Sequence, residues 1–253
     1  FNMMECFYLL LSIWIIIGVL TFLFLIFSNT AAPYGRHSNS QWGVSIDNRW
    51  GWFWMELPAL VVMPFIVLNS EIEKSNEIII LLISLWVFHY FYRTIIFPMK
   101  LKTKGKKMPI VIIFSAFMFN IFNGFFIGYE LGYLTNIKEL DFGPNTILGL
   151  LVFLIGMYIN RSSDNKLISL RMGNKEYQIP KGGMFKFISC PNHFGEIIEW
   201  IGFAIIVFNL SSLSFALWTA FNLIPRSLNH HKWYKNYFKE YPKNRKAIFP
   251  FVY

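Results

Sequence analysis

The sequence predicts an all-α integral membrane protein of seven transmembrane helices, with the N-terminus outside and the C-terminus in the cytoplasm. Three observations carry this. Of the 253 residues, 55% are hydrophobic and 19% aromatic, and only 15% are charged; soluble domains hold about 45–50% apolar and about 25% charged residues. Apolar runs near the ~20 residues needed to cross a bilayer recur along the chain. The basic residues gather in alternate loops, as the positive-inside rule requires.

The first span covers 7–27. Its apolar stretch follows no basic residue and is long for a signal-peptide core, so it reads as a span rather than a cleaved leader. Further spans follow at 52–69, 78–98, 109–134, 145–160, 194–209 and 212–225. The second, sixth and seventh are short or marginally apolar, as tilted or protein-shielded helices are. The loop MKLKTKGKKM at 99–108 holds Lys100, Lys102, Lys104, Lys106 and Lys107 and no acid. Segment 161–193 holds Arg161, Lys166, Arg171, Lys175, Lys181 and Lys186, and seven more basic residues lie between Arg226 and Lys246. The alternate loops contain Lys74, Lys138 or no basic residue.

The net charge of +9 therefore collects on one face. Two readings of that face stand: topology with contact to anionic lipid, or a seat for a polyanionic cytosolic cofactor. The basic segments are short loops between spans, which argues against nucleic acid. No internal repeat, low-complexity tract or flexible linker interrupts the chain. Residues 1–253 read as one membrane domain, monomeric, with an interfacial tail at 225–253 in which aromatic and basic residues alternate.

Several chemistries are disfavoured. Cys6 and Cys190 form no disulfide framework and no metal-ligand spacing. There is no G-x-G-x-x-G between a strand and a helix, so no Rossmann domain is expected. H-E-x-x-H, G-x-S-x-G and Cys/His clusters are missing. His230 and His231 would sit about 100° apart on a helix, a poor chelate. No metal is expected.

Ionisable groups within spans mark function by default. Here they are Glu56 in WFWMELP, His89 and Arg93 in HYFYRT, Glu130 in GYELGY, and Glu196 and Glu199 in NHFGEIIEWIGF. Plainer readings stand beside the functional ones. Glu56 reads as an interfacial glutamate on a helix end, Tyr90 as a packing aromatic, Arg93 as a snorkelling cation and Glu130 as a structural residue near the outer membrane end. Glu196 and Glu199 share a helical face, and burying such a pair requires donors around it. Past the fifth span, Asn160, Asp164 and Arg171 continue a helical period. They suit a solvated helix end, or equally ribose hydroxyls and phosphates. Trp52, Phe53, Trp54, Phe117, Phe119 and Phe122 form either a lipid-facing surface or the wall of a pocket for a flat polycyclic ligand.

Together these pieces resemble the steroid 5α-reductase family. The resemblance runs from about Tyr34 to the C-terminus. It rests on PYGRH (33–37), MELP (55–58), HYFYRT (89–94), LGLLVFLIGMYINRSSD (148–164), YQIPKGGMF (177–185), NHFGEIIEWIGFA (192–204) and PRSLNHHKWYKNYFKEYPKNRKAIFPF (225–251). The last two are long and specific. The resemblance implies a seven-helix enzyme of the bacterial inner membrane or the endoplasmic reticulum. Such an enzyme holds NADPH within its bundle and reduces the carbon–carbon double bond of a 3-oxo-Δ4 steroid or related enone lipid.

In that reading Glu56 and Tyr90 match the pair that hydrogen-bonds the 3-keto oxygen, Glu56 in its protonated form. Asn160, Asp164, Arg171, Asn192, Glu196, Arg226, His230 and Tyr234 match cofactor-holding positions, and Tyr34, Arg93, Lys104 and Lys106 complete that shell. Glu196, with Asn192 one turn before it, would face the nicotinamide carboxamide, and Glu199 would support the site from the same side. The chain departs from the family pattern at Gln178 and Asn229, where some relatives have Arg and His, and at Lys104 and Lys106, where some have Arg. Lysine serves a phosphate as a point charge rather than a fork. The tail also fits a membrane methyltransferase of the isoprenylcysteine type that uses S-adenosylmethionine, but that reading leaves MELP, HYFYRT and NHFGEIIEW unexplained. A non-catalytic receptor or transporter would need no such polar set, and paired broken helices, which would favour a transporter, are not seen.

Overall fold

The computed structural model describes residues 2–28, 42–102, 105–136, 142–171 and 176–252. Its helices are α1 (Met3–Ser28), α2 (Asn48–Asn69), α3 (Glu77–Phe91), α4 (Phe97–Lys100), α5 (Ile110–Tyr129), α6 (Pro144–Ser169), α7 (Pro191–Val207) and α8 (Leu210–Tyr237). A π-helical turn, Tyr92–Ile96, joins α3 to α4, and a second, Glu130–Leu134, ends α5. Strands β1 (Ser45–Asp47) and β2 (Lys107–Pro109) pair antiparallel, with Ile46 opposite Met108.

Among the described residues, five helices are long and apolar enough to cross a bilayer: Met3–Ser28, Asn48–Asn69, Glu77–Lys100, Ile110–Leu134 and Pro144–Ser169. This is the signature of a multi-pass membrane protein. The predicted sixth and seventh spans fall on α7 and α8. At 17 residues α7 is short for a crossing, and α8 is too polar over its length to count by the same measure.

The helical period expected to carry on past the fifth span does so: its helix runs to Ser169, so Asn160 and Asp164 are helical, while Arg171, expected on the same period, lies two residues past the end. One predicted boundary is corrected. The tail does not begin as a separate segment at Pro225, because α8 continues through that proline to Tyr237. Proline removes one backbone donor, and helices at membrane depth tolerate this where neighbours satisfy the freed carbonyl.

The chain forms two compact units. The first comprises 1–11, 32–144 and 209–212. Asp47 caps α2 by accepting from the Arg49 N–H, and Asn76 caps α3 by accepting from Ile78 and Ile79. These side chains satisfy N–H groups that a helix start leaves orphaned. α5 lies close along α2: a Cβ on Gly128 would come within 3.1 Å of Ile66 Cβ and of the Met63 carbonyl. Met63, Val67, Ile79, Leu82 and Trp86 are fully buried. Glu130 is buried and accepts from the Tyr8 hydroxyl at 2.9 Å and the Ser211 N–H at 2.8 Å, a structural arrangement.

The second unit comprises 12–31, 145–208 and 213–253. Its centre is the pair α6 and α7, which touch backbone to backbone. Gly149 and Gly156 on α6 face Gly195 and Gly202 on α7. A Cβ on Gly156 would strike the Glu199 N, one on Gly195 the Asn160 N, and one on Gly202 the Phe153 N. In each helix the glycines are seven residues apart, two full turns, so they stack along one stripe. Small residues in such a stripe are how membrane helices approach most closely. After α8 the chain turns back and runs beside 187–190. Lys246 N–H donates to the Phe187 carbonyl, Ser189 N–H to that of Lys246 and Cys190 N–H to that of Ala247. This folds Tyr241, Ala247 and Ile248 into the interior.

Candidate active site

In the first unit, the chemistry starts from a weakened turn of α2. Pro58 has no N–H to give the Trp54 carbonyl, and its ring crowds that group. Side chains of neighbouring helices donate onto the carbonyls around it: Asn120 Nδ2 to Met55 O and Trp86 Nε1 to Ala59 O, both at 2.7 Å. Glu56 sits in this turn with its side chain 13% exposed. Its Oε1 lies 4.0 Å from Arg93 Nε, and its Oε2 is 3.4 Å from Asn120 Nδ2.

Arg93 projects from the π-helical turn. Pro98 follows, and it cannot donate to the carbonyl of Thr94; the wider turn accommodates that loss, and such bulges recur at functional sites. The Arg93 guanidinium rests over the rings of Trp52 and Phe97, 4.8 Å from each centroid. It does not snorkel. Buried Tyr90 packs on Trp86 at 4.8 Å and edge-on to His89 at 5.0 Å. Trp86 thus links Tyr90 to the same α2 turn that carries Glu56. Trp54 and Phe122, expected in one aromatic wall with Trp52, are exposed. Lys106 is half-buried, and its carbonyl accepts from the Asn48 N–H. Tyr34 and Lys104 lie outside the described residues.

In the second unit, the glycine stripe brings four predicted residues into one network. Asn160 Nδ2 donates to the Asn192 carbonyl at 3.0 Å and to Glu196 Oε2 at 3.1 Å, and Asn192 Nδ2 donates to Asp164 Oδ1 at 3.0 Å. Asn160 and Asp164 are buried, while Asn192 and Glu196 keep part of their surface open. The network therefore presents an amide and a carboxylate at one accessible edge. Glu199 is completely buried, its backbone against Gly156. The Arg171 guanidinium lies 5.7 Å from the Tyr177 ring centroid.

On α8, His230 is buried with its ring 5.6 Å from that of His193. Ser227 gives its one hydroxyl proton to the Leu223 carbonyl at 2.7 Å. The same Ser227 Oγ lies 2.8 Å from His193 Nδ1. Arg226 is half-buried, and Tyr234 is buried, stacked on Tyr241 at 5.2 Å. Ser189 Oγ touches His231 Nδ1 and the Tyr241 hydroxyl, each at 2.6 Å. Burial, with the charges of Lys235 and Lys246 adding to it, lowers the His231 imidazole to about 4. Burial raises the Tyr241 phenol, opposed by hydrogen bonds from Ser189 and Arg245 and by the Arg245 charge. Among the described residues no group of three or more His, Cys, Asp or Glu is placed to hold a metal ion.

A family profile described as 3-oxo-5-alpha-steroid 4-dehydrogenase matches residues 106–253, more than half the chain. The chain belongs to this family. It is 38% identical to the steroid 5-alpha-reductase DET2 of Gossypium hirsutum over 253 aligned residues, which span 97% of this chain and 96% of the relative. It is 41% identical to the protein of the same name from Arabidopsis thaliana, over 88% of each. With the 3-oxo-5-alpha-steroid 4-dehydrogenase 1 of Rattus norvegicus it shares 34% identity, over 88% of this chain and 87% of that one.

For this 3-oxo-5-alpha-steroid 4-dehydrogenase family member, sequence reasoning missed Asn120, Ser189, His193, Ser227 and the four stripe glycines. The glycines carried a signal, since GLLVFLIG and GEIIEWIG repeat the same seven-residue spacing. Asn120 was visible as an amide in the apolar run FSAFMFNIFNGFF. Ser189 and Ser227 carried none, because a buried serine hydroxyl depends on partners distant in sequence.

Proposed function

We propose that this protein reduces the Δ4 carbon–carbon double bond of 3-oxo-Δ4 steroids with NADPH, as a single seven-span membrane domain with its lysine-rich loops in the cytoplasm. The observation that carries this reading is the family relationship, which extends over nearly the whole chain to relatives named steroid 5-alpha-reductase. The geometry supports it with a chemically workable set of groups.

Saturating the enone adds hydride at carbon 5 and builds negative charge on the 3-oxygen; the enolate then collapses to the ketone as carbon 4 takes a proton from solvent or a side chain. The Tyr90 hydroxyl and a protonated Glu56 would donate to that oxygen, and donors aimed at developing charge in a dry site are the largest common source of catalysis. Arg93, held over Trp52 and Phe97, adds a positive charge beside Glu56. In this reading Arg93 keeps its expected place in the cofactor shell and also stands beside the polarising pair.

The donor set of the second unit fits a nicotinamide carboxamide. That group offers an NH₂ and a carbonyl, and the network's open edge offers the Glu196 carboxylate and the Asn192 amide. NADPH, when bound, supplies the hydride. Asn160 and Asp164 would hold Asn192 and Glu196 in place, and Glu199 would brace α7. Arg171, Arg226, His230 and Tyr234, with Tyr34, Lys104 and Lys106, would bind phosphate and ribose.

The test is NADPH oxidation by detergent-purified protein given a 3-oxo-Δ4 steroid, with products identified by mass spectrometry. A product heavier by two hydrogens, with the ketone retained and a 5α ring junction, is expected. Folded protein that neither binds NADPH nor forms product contradicts the proposal, and S-adenosylmethionine binding is then the next assay.

A further inference from the structure

We infer that Asn120 is a positioning residue for Glu56, fixing the plane of its carboxyl group from the facing helix α5. The inference rests on the role given to Glu56 above.

Asn120 is buried, 6% exposed, in the middle of a membrane helix. An amide there is costly unless its hydrogens are used. Its Nδ2 makes two contacts, both to α2: Met55 O at 2.7 Å and Glu56 Oε2 at 3.4 Å. The first is a full-strength hydrogen bond, and the second is long. The Met55 carbonyl is therefore the anchor and the Glu56 carboxyl the guided group. An amide NH₂ is planar with its two hydrogens in fixed relation, so seating one on a backbone carbonyl sets the direction of the other.

Arg93 approaches the opposite oxygen, Oε1, at 4.0 Å. The two oxygens are thus made unequal, one facing the amide and one facing the cation. That inequality defines which way a carboxyl can present a proton. Asn123, one turn further along α5, is a useful contrast. Its Nδ2 donates at 2.8 Å to Phe119 O of its own helix, which any membrane-helix amide can do. A residue that merely tied α5 to α2 would need only the Met55 contact; the second hydrogen, aimed at the adjacent carboxyl, is what links Asn120 to the chemistry.

The experiment compares wild type, Glu56→Gln, Asn120→Leu and the double variant, as full-length protein in detergent. Each is assayed for steady-state reduction of a 3-oxo-Δ4 steroid, for NADPH affinity and for melting temperature. Asn120→Leu should lower kcat about tenfold while leaving the NADPH Kd within about twofold. The double variant should be no slower than Glu56→Gln alone, because residues acting as one unit are not additive. Should the leucine variant fail to fold, Asn120→Ser takes its place: it keeps a polar group at this buried position, lacks the amide's reach, and should show the same loss and the same non-additivity. Wild-type kcat in a folded Asn120 variant, or losses that multiply in the double variant, would overturn the inference while leaving the reductase reading intact. Wild-type protein that binds NADPH and turns over no enone would overturn that reading, and the inference with it.

Discussion

The α6–α7 pair and the α2 turn around Pro58 secure candidate functional residues by opposite means. At α6 and α7 side chains are deleted: four glycines let two backbones touch, and the Asn160–Glu196 and Asn192–Asp164 hydrogen bonds follow from that contact. At α2 a backbone donor is deleted, and Asn120 and Trp86 side chains from neighbouring helices donate into the loosened turn. The first region should therefore tolerate no added volume, and the second should tolerate volume better than lost polarity.

The largest expected effect breaks the first half of that comparison. Gly156→Ala or Gly195→Ala puts a Cβ into the backbone of the facing helix, which cannot swing aside. Overpacking of ordinary cores costs about 1–3 kcal/mol. Here the loss should exceed that, giving little monodisperse protein on size-exclusion chromatography. Gly124→Ala, whose nearest neighbours are Val62 side-chain atoms at 3.1 and 3.2 Å, should purify normally. Equal behaviour of the two would end the distinction between backbone and side-chain contact.

Next come the polar groups of the α2 region. Glu56→Gln and Tyr90→Phe should each cut turnover at least about tenfold, a loss of roughly 1.4 kcal/mol or more in transition-state stabilisation. Their melting temperatures should stay near wild type. Asn160→Leu sharpens the comparison from the other side. It removes the donor to Glu196 and to the Asn192 carbonyl, so it should weaken NADPH binding in a titration and cost about 0.5–1.5 kcal/mol of stability, the usual net worth of a hydrogen bond at partly open groups. Near-native NADPH affinity in this variant would separate the network from the cofactor.

The smallest effect is a pH dependence. The His231 imidazole is lowered from 6.5 to about 4. The unfolded chain takes up this proton as pH falls below about 6.5, while the folded chain does not until about 4. Folding stability from this group is therefore full above that window and declines as pH falls through it. His231 is only partly buried, so the slope should be shallow. Thermal melts between pH 7 and 4 should show it, and His231→Asn should remove it.

Much of the fold was legible because it is written in long apolar runs, a signal that does not depend on tertiary contacts. The predicted 52–69 and 78–98 spans fall within α2 and the α3–α4 rod. The helical period past the fifth span was legible at Asn160 and Asp164, but their burial was not, because it comes from packing against α7. The tail was set at 225 where the apolar run ends, and the helix passes through Pro225. Glu196 was singled out by its cost in an apolar setting, and the structure supplies the donor, Asn160, on a helix that sequence spacing could not place beside it. Arg93 was left between a snorkelling cation and a cofactor-shell residue, since no local rule reveals that Trp52 and Phe97 form a seat for its guanidinium.

The central claim is hydride delivery to carbon 5 of a 3-oxo-Δ4 steroid with the ketone left in place. The most direct test is turnover with NADPH deuterated at the reactive nicotinamide carbon, followed by location of the label by mass spectrometry and NMR. The account predicts one deuterium at carbon 5, on the α face, in a saturated 3-ketone. Deuterium at carbon 3 of an alcohol, or a reduced product carrying none, would contradict it.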